Sequence, residues 1–404
     1  MLSVEEALAR IIAALSPLPA ETIGIGDAFG RVLAEDLGAR VTQPPAAVSA
    51  MDGYAVRAAD VVKVPVTLRQ IGVVPAGQAF SRAIGPGECV RIYTGAPLPP
   101  GADTIVIQEN ADGADGRVNV RESAPLGRYV RPAGLDFKAG EIGLSAGRLL
   151  SVRDVALAAA MNRPWLRVRR RPRVAIIATG DEVVMPGDPI GPSQIVSSNG
   201  FALSALVSAC GGTPVNLGIA PDSVEGLKSM TAEARGADLI VTTGGVSVGE
   251  HDLVRRALSQ QGLAVDFWRI AMRPGKPLMF GRVGETPVLG LPGNPVSTIV
   301  CALIFLRPAL ARMQGLAATE ERAETAFLGA DLAENDRRQD YLRAKLSRDD
   351  AGRRIATAFE PQDSSMLSFL SRAQCLIVRR PLAPAAKTGD TVEIIAFRSD
   401  PAGL

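Results

Sequence analysis

Between residues 170 and 317, four short and almost wholly apolar segments alternate with longer helical patterns. The apolar segments read RVAIIAT (173–179), TPVNLGI (213–219), ADLIVTT (237–243) and PVLGL (287–291), and the helical patterns cover 198–209, 223–234, 248–260 and 295–313. Strands that are apolar along their whole length are typical of a parallel sheet covered by helices on both faces. The pattern therefore predicts a doubly wound α/β domain whose ligand site lies beyond the carboxyl ends of its strands.

The regions on either side follow other patterns. Ser3 and Glu6 have capping-box spacing and precede apolar residues at helical spacing, which predicts an amphipathic helix over 3–16. Between about 40 and 150, short apolar runs separated by Gly and Pro turns indicate a β-rich region, and a second helix is predicted over 152–161. After residue 320, FLGADL, DYLRAKL, CLIVRR and TVEIIAF predict a small C-terminal β domain.

Composition excludes several classes of function. With 44 basic and 42 acidic residues the net charge is +2, which argues against nucleic acid or an anionic membrane as the main partner. The single histidine, His251, excludes poly-histidine metal sites. The four cysteines lack CxxC spacing, so neither a zinc site nor a disulfide framework is predicted. Carboxylates, cations and Gly-rich turns remain to carry the chemistry.

Cellular location is predicted from segments that the sequence lacks. The start of the chain has neither a basic n-region nor an apolar h-region, so no secretory signal is predicted. The longest apolar run, 299–310, is shorter than the roughly 20 residues needed to span a bilayer. We therefore expect a cytoplasmic protein.

Three Gly-rich turns follow strands of the predicted α/β domain, at 179–182, 243–252 and 290–297. Such turns allow backbone N–H groups to approach an anion, and each one opens a helix whose N-terminus is partly positive. The alternative is that these residues only start helices, since Ser247 and Glu250 have capping-box spacing and Asn294 precedes Pro295. The candidate ligand-binding residues in the turns are Thr179, Gly180, Gly244, Gly245, Ser247, Pro292, Gly293, Asn294 and Pro295.

Carboxylates also follow these strands. Glu182 and Asp252 are the candidates for holding Mg²⁺ on a pyrophosphate, because such an ion usually takes one or two carboxylates and completes its shell with water and phosphate oxygens. Asp222 is a further candidate ligand-binding residue, although Glu225 three residues later makes a helix N-cap the competing interpretation. The neighbouring His251 is expected to be a surface residue.

The segment WRIAMRPGKP (268–277) places three cations within eight residues, in a stretch too rich in Pro and Gly for an ordinary helix. Arg269 and Arg273 could bind an oxyanion bidentately, while Lys276 would act as a point charge. An anion pocket is therefore predicted here. The basic run at 167–173 has few aromatic neighbours and is interpreted as a solvated strand edge.

Seven segments, taken in order, resemble the MoeA and gephyrin E-domain family of molybdopterin molybdenumtransferases. They are AMDGYAV (50–56), YTGAPLPPGADTIVIQE (93–109), RPAGLDFKAGE (131–141), TGDEV (179–183), TTGGVSVGEHD (242–252), MRPGKP (272–277) and GLPGNPVS (290–297). This resemblance covers essentially the whole chain.

The resemblance implies an elongated subunit of four domains that forms a homodimer, with each active site at the dimer interface. Domain I would comprise residues 1–42 and 136–168 and carry the dimer contacts, and domain II would be an inserted β-rich unit over 43–135. Domain III would be the α/β domain over 169–318, of the type found in MogA and MoaB, and domain IV a C-terminal β barrel over 319–404. Other proteins of cofactor assembly are possible partners.

The resemblance also implies a reaction. Adenylylated molybdopterin and molybdate would be the substrates, Mg²⁺ the cofactor, and AMP and molybdenum cofactor the products. Lysine in place of Arg269 and histidine in place of Ser365 are common in the family, so the sequence departs from the pattern there. The positions that match catalytic or substrate-contacting residues are Asp52, Thr94, Asp136, Glu182, Asp222, Asp252, Arg343 and Ser364.

Two other functions remain open from the sequence. An adenylyltransferase that makes the activated pterin would share the α/β domain, but it would lack the regions on either side of that domain. A non-catalytic scaffold of the gephyrin type would carry a linker and a second α/β domain. The preference between molybdate and tungstate is not encoded visibly, because both are tetrahedral dianions of nearly equal size.

Overall fold

A computed structural model of the chain describes residues 1–244, 253–316 and 324–397. Within these ranges, three six-stranded sheets each lie in a different third of the sequence. The first is formed by the β-rich N-terminal region, the second by the α/β region and the third by the C-terminal region. The boundaries of the four domains stay a prediction.

The N-terminal third begins with a helix that has a complete capping box between Ser3 and Glu6, as the spacing predicts. Six of its strands form one sheet, in the order β7-β4-β6-β5-β9-β8, and the others pair as short two-stranded ribbons. The elements are α1 (Val4–Ala13), β1 (Ala20–Gly24), β2 (Leu37–Gly38), β3 (Val48–Ser49), β4 (Gly53–Val56), β5 (Val66–Val74), β6 (Glu88–Ile92), β7 (Thr104–Ile107), β8 (Ala111–Ala114), β9 (Arg117–Val120), β10 (Val130–Arg131), β11 (Ile142–Leu144), α2 (Val152–Ala160) and β12 (Trp165–Arg169).

The middle third contains the predicted α/β domain. Its elements are β13 (Arg173–Thr179), β14 (Val183–Val184), β15 (Ile195–Val196), α3 (Asn199–Ala209), β16 (Thr213–Ala220), α4 (Val224–Glu233), β17 (Leu239–Thr243), α5 (Leu253–Ser259), β18 (Leu263–Trp268), β19 (Met272–Arg273), β20 (Met279–Val283), β21 (Thr286–Leu291), α6 (Pro295–Cys301) and α7 (Arg307–Met313). The four strands read from the sequence lie side by side and parallel, in the order β16-β13-β17-β21. The doubly wound domain is thus confirmed.

Two strands of this sheet were not predicted from the sequence. β20 runs antiparallel to β21, and β18 pairs antiparallel with β20, so the sheet is mixed at this edge. β18 carries exposed residues and β20 ends at a Gly turn, so neither has the continuous apolar run by which the parallel strands were recognised. The mixed edge matters for the site because the 269–277 segment leaves the sheet from β18.

The C-terminal third is a barrel, as predicted. Its elements are β22 (Glu324–Leu328), β23 (Gln339–Arg348), β24 (Arg354–Ala358), α8 (Leu367–Arg372), β25 (Cys375–Arg379) and β26 (Thr391–Ala396). Strands β23, β24, β22, β26 and β25 pair in that order, and β25 pairs with β23 to close the ring. β24 is a strand that the sequence pattern missed.

Helix α1 packs into the core of the α/β region. Val4, Ala7, Ile11 and Leu15 are buried in one cluster with Ile270 and residues of α6 and α7. The backbone N–H of Ala271 also donates to the carbonyl of Leu2 at 2.8 Å. The first helix of the chain is therefore part of the scaffold that supports the 269–277 segment.

α6 and α7 are continuous through a π-helical stretch, Ala302–Leu306. By length and composition alone, the resulting segment Pro295–Met313 could cross a membrane, yet 67% of it is buried inside the protein. Its apolar character is accounted for by this packing, in which Val300, Phe305 and Leu310 are fully buried. It serves as the central core helix, and its first turn lies beside the strand ends.

Candidate active site

The turns after β13, β17 and β21 converge in space. Gly244 has φ of +85°, and a side-chain Cβ at this position would lie 2.5 Å from the carbonyl oxygen of Thr179. A Cβ on Gly293 would lie 3.4 Å from the Cα of Gly244. The three turns therefore meet closely, and the glycines leave their backbone N–H groups open to an anion. That a phosphate binds here stays a prediction.

A side chain that the sequence analysis did not single out ties two of these turns together. Asn199, the first residue of α3, donates from Nδ2 to Thr243 Oγ1 at 2.9 Å and to the carbonyl of Gly293 at 2.7 Å. Because a carbonyl can only accept, this fixes the orientation of the amide. Its Oδ1 is buried without a hydrogen-bond partner in the described ranges, as is Thr179 Oγ1. An asparagine in the first turn of a predicted helix is an ordinary helix-start residue, so the pattern gave no reason to choose it.

Carboxylates gather at the ends of β13 and β16. The backbone N–H of Asp222 donates to Asp181 Oδ1 at 3.0 Å, and Glu182 Oε2 lies 2.7 Å from where a Cβ on Gly180 would be. Burial, followed by the negative charge of Asp181, raises the pKa of Asp222. Oδ1 of Asp222 is buried and has no hydrogen-bond partner within the described part of the chain.

The alternative interpretation of Asp222 as a helix N-cap is wrong. Ser223 is the N-cap of α4, and its hydroxyl accepts from the backbone N–H of Gly226 at 3.0 Å. With that role filled, the carboxyl group of Asp222 is left directed at the strand ends. Three of the candidate residues, Gly245, Ser247 and Asp252, lie outside the described residues.

A cleft of about 530 Å³ lies between the turn after β21 and the barrel. Its walls come from the 272–277 segment, from the turn after β21, from Arg338 before β23 and from a loop after β24. The lining residues are Met272, Arg273, Pro274, Gly275, Lys276, Pro277, Pro292, Gly293, Asn294, Ser297, Arg338, Gln362, Asp363 and Ser364. Of the predicted residues, Arg273, Lys276, Pro292, Gly293, Asn294 and Ser364 are thus brought together, and we refer to the space as the interdomain cleft.

Arg273 lines the interdomain cleft, but its guanidinium is bound to the barrel. Its Nε lies 2.9 Å from Oδ1 of the buried Asp340 and Nη2 donates to Oδ2 of the same carboxylate, while Nη1 reaches Asp336 at 3.4 Å. The hydrogen bond to Asp340 raises the pKa of Arg273. The backbone follows the same contact, since β19 pairs with β23 through Met272 and Arg273.

The arginine and aspartate charges where the 272–277 segment meets the barrel nearly balance. Arg338 donates from Nη2 to Asp336 at 2.8 Å, so two arginines face two carboxylates. Lys276 is exposed in the cleft and takes part in no ion pair among the residues that the structure describes. Arg269, with φ of +88°, stacks its guanidinium on the ring of Trp268 at 4.2 Å. Lys276 is therefore a cation of the cleft that forms no ion pair within the described ranges, and Asp363 adds a carboxylate to the same lining.

Asn294 links the two walls of the cleft. It precedes Pro295 at the start of α6, as predicted, but its side chain makes no capping bond and donates instead to Ser364 Oγ at 2.7 Å. The backbone N–H of Val296 donates to the carbonyl of Ser364 at 3.1 Å. Arg343 lies behind this loop and is almost fully buried, so it does not line the cleft.

Asp52 and Thr94 form a separate group at the ends of β4 and β6. Thr94 donates to Asp52 Oδ1 from its backbone N–H at 2.7 Å and from its hydroxyl at 2.8 Å. The backbone hydrogen bond is the main reason that the pKa of Asp52 is lowered. Asp136 is exposed on the loop after β10, with its N–H bonded to the carbonyl of Gln43. No hydrogen bond among the described residues joins these three to the interdomain cleft.

Comparison with known proteins places this architecture in one family. Residues 2–162 match the profile described as "MoeA N-terminal region (domain I and II)", residues 175–312 match "Probable molybdopterin binding domain" and residues 325–397 match "MoeA C-terminal region (domain IV)". Molybdopterin molybdenumtransferase 2 of Mycobacterium tuberculosis is 37% identical over 93% of this chain and 95% of its own length. The chain belongs to the molybdopterin molybdenumtransferase family.

Other members agree. The molybdopterin molybdenumtransferase of Haemophilus influenzae is 32% identical over 98% of this chain and 99% of its own length. The crystal structure of a molybdopterin biosynthesis MoeA protein from Pyrococcus horikoshii superposes with a TM-score of 0.86 at 30% identity, covering 99% of this chain and 100% of that one. This member of the molybdopterin molybdenumtransferase family is accordingly a transferase of molybdenum-cofactor biosynthesis.

The convergence of the strand-end turns in this molybdopterin molybdenumtransferase can be tested at Gly244. Alanine there combines a left-handed backbone with a contact to Thr179, so we expect Gly244→Ala to destabilise the fold by more than about 2 kcal/mol. Gly284 has φ of +57° and open space around it, and serves as the matched control. Gly284→Ala should cost about 1 kcal/mol from backbone strain alone. Urea unfolding of both variants measures the difference, and equal losses would contradict the close approach of the turns.

Proposed function

We propose that this enzyme inserts molybdate into adenylylated molybdopterin with the help of Mg²⁺, forming molybdenum cofactor and releasing AMP. The observation that supports this most is the interdomain cleft, whose lining combines the Gly-rich turn after β21, which packs against the turn after β17, with the charge of Lys276. A substrate with a pyrophosphate at one end and a metal-binding dithiolene at the other needs both. The proposal assigns each end to one wall.

The pyrophosphate is assigned to the strand-end turns. The N-terminus of the continuous helical segment Pro295–Met313 opens here, and its partial positive charge favours an anion. Gly244 and Gly293 leave room for phosphate oxygens to approach backbone N–H groups. The unpartnered oxygen atoms of Thr179 and Asn199 would accept hydrogen bonds from the substrate or from bound water.

Glu182 supplies the kind of ligand that Mg²⁺ prefers, and the partnerless oxygen of Asp222 adds a second carboxylate nearby. Among the described residues no cluster of three or more His, Cys, Asp or Glu side chains could hold a metal ion. One or two carboxylates are usual when phosphate and water complete the shell, so the donor set fits. We assign the ion to Glu182 and Asp252, the two carboxylates expected from the sequence, and Asp222 is a further carboxylate near Glu182. When bound, it would neutralise charge on the pyrophosphate.

Molybdate is assigned to the cation wall. An oxyanion needs charge-assisted donors, and Lys276 offers three from an ammonium whose charge is not cancelled by a described carboxylate. Arg338 would add donors from the barrel side, with part of its charge already opposed by Asp336. Arg269 would contribute to the positive potential of the wall. Arg273 is expected to act through its contact with Asp340.

A homodimer is part of the proposal. Asp52, Thr94 and Asp136 carry the family's motif residues but lie apart from the cleft of their own subunit, so we assign them to the cleft of a second copy. Large apolar side chains are exposed on neighbouring strands and loops of the N-terminal region, and a second copy would cover them. These side chains are Phe29, Ile142, Leu149, Val152 and Trp165.

The reaction is tested by supplying purified enzyme with AMP-molybdopterin, molybdate and Mg²⁺. We expect AMP release that depends on both molybdate and Mg²⁺, together with a product that activates an apo-molybdoenzyme. AMP release without molybdate would contradict insertion as the coupled step. A parallel reaction with ATP and free molybdopterin should yield no AMP-pterin, and its formation there would support adenylyl transfer instead. Tungstate in place of molybdate measures the oxyanion preference.

The oxyanion assignment is tested at Lys276. Because a charge-assisted hydrogen bond contributes about 1.5–3 kcal/mol, Lys276→Ala should raise the KM for molybdate at least about tenfold, with a smaller effect on the KM for AMP-pterin. Lys228→Ala on the surface of α4 removes an exposed lysine outside the cleft and serves as the control. An unchanged KM for molybdate with weaker AMP-pterin binding would move Lys276 to the phosphates.

The dimer is tested at its proposed contact surface. Trp165 is 64% exposed and Phe29 is 65% exposed in the single subunit. Replacing both by serine should shift the protein from dimer to monomer in light scattering and abolish activity with its fold retained. Ile190→Ser, at a 59% exposed apolar residue of the α/β region, is the control. A monomeric wild-type protein with full activity would remove Asp52, Thr94 and Asp136 from the site.

A further inference from the structure

Arg343 is a buried arginine whose hydrogen bonds all go to one loop. Its side chain is 1% exposed, and Nη1 donates to the carbonyl of Met366 at 3.0 Å while Nη2 donates to that of Pro361 at 3.2 Å. Gln362 completes the contact. Its Oε1 accepts from the backbone N–H of Arg343 at 3.0 Å, and its Nε2 donates to the carbonyls of Arg343 at 3.0 Å and Phe359 at 2.7 Å.

This arrangement is unusual because the guanidinium has no carboxylate partner among the described residues. Burying an unpaired cation is costly, and burial lowers the pKa of Arg343 accordingly. Carbonyl groups of the 359–366 loop replace the water that the guanidinium loses. An apolar side chain could fill the same space without this cost, so the fork of donors must be needed for holding the loop.

The loop held in this way reaches across to the α/β region. Ser364 accepts from Asn294 through its hydroxyl and from Val296 through its carbonyl. Val296 lies in the first turn of α6, where a backbone N–H has no acceptor within its own helix. Its bond to Ser364 is therefore the partner that satisfies it, and the bond exists only while the loop stays in place.

We infer that Arg343 and Gln362 are positioning residues, which together hold the 359–366 loop so that Ser364 fixes the barrel against the start of α6 and sets the width of the interdomain cleft. Arg343 is absent from the cleft lining, and the amide of Gln362, which does line the cleft, is bonded to Arg343 and Phe359, so neither side chain is assigned to the oxyanion. The kinetic consequences of the inference rest on the proposed function, whereas the holding of the loop is a property of the ligand-free protein. Gln362 carries no charge, so comparing variants of Gln362 and Arg343 separates holding the loop from direct charge contact with the substrate.

The holding of the 359–366 loop is tested by hydrogen exchange in protein without substrate. In Arg343→Lys one ammonium replaces a fork that reaches three acceptors, so the amide of Val296 should exchange at least about tenfold faster. Gln362→Leu should have the same effect. Arg348→Lys is the matched control, because Arg348 lies on the same strand and donates to the carbonyl of Gly352 far from the loop. Unchanged exchange at Val296 in both variants would overturn the inference.

The kinetic part compares the KM for molybdate with kcat. We expect Arg343→Lys and Gln362→Leu each to raise that KM about tenfold with kcat changed less than about threefold, and the double variant to be no worse than the poorer single one. Arg348→Lys should behave as wild type. If Gln362→Leu keeps the wild-type KM while Arg343→Lys raises it, Arg343 acts by direct charge contact. If exchange increases but neither the KM for molybdate nor kcat changes, the role is merely structural. This result and the preceding one would each contradict the inference.

Asn294→Ala provides a variant that leaves the barrel interior intact, should the barrel variants fail to fold. It removes the hydrogen bond to Ser364 from the opposite wall, so the same rise in the KM for molybdate is expected, together with faster exchange in the 361–366 segment. Wild-type values in both measurements would overturn the role of the contact between Ser364 and α6. If wild-type enzyme shows no molybdate-dependent turnover, the proposed function fails while the exchange measurements still decide the positioning role.

Discussion

The approach of Gly244 to the carbonyl of Thr179 is the contact on which the site depends. Parallel strands bring their carboxyl ends to one edge of a sheet, but side chains would keep the following turns apart. Here the residue between two of the turns has no side chain and takes a left-handed backbone, so the third turn packs directly against it. Asn199 then fixes the spacing with bonds to both sides. The result is an edge lined by backbone polar groups and acidic side chains.

The second wall is supplied by a different part of the fold and is held by contacts that cross the cleft. On one side β19 pairs with β23 and Arg273 binds Asp340. On the other side Ser364 binds Asn294 and Val296. Polar contacts of this kind set distance and orientation together, because each has a preferred length and angle. The cleft therefore has a defined width. Lys276 takes part in none of these contacts, so its positive charge is left to face the cleft.

The sequence predicted the parts of this molecule that depend on local pattern. The four parallel strands and the capped helix α1 follow from apolar periodicity and capping residues, and the strand-end turns follow from the rule that parallel strands end together. The same patterns predicted a small C-terminal β domain, and the family resemblance implied that it closes into a barrel. β18, β20 and β24 lack such a pattern. Their place in a sheet depends on partner strands far along the chain, and a pattern of neighbouring residues carries no information about those strands.

Side-chain roles were harder to predict than positions. A cation near a Gly-rich turn looks the same in sequence whether it faces a ligand or a distant carboxylate, so Arg273 could not be separated from Lys276. Arg343 was chosen by the family resemblance alone, and its burial in β23 was not predicted. The partner of each arginine lies tens of residues away, at Asp340 and in the 359–366 loop. The N-cap assignment of Asp222 failed for a local reason. Ser223, next to it, makes the same kind of hydrogen bond with less charge to desolvate.

The burial of α1 beneath the 269–277 segment has a consequence for how the molecule can be divided. Val4, Ala7, Ile11 and Leu15 complete a hydrophobic core whose other buried members begin at Val174. An α/β region cut out of this sequence would carry an exposed apolar groove where α1 belongs. It would also lose the bond between Leu2 and Ala271 that supports the cation wall. Helix α1 and the α/β region therefore belong to one packed unit, and α1 forms part of the framework of the interdomain cleft.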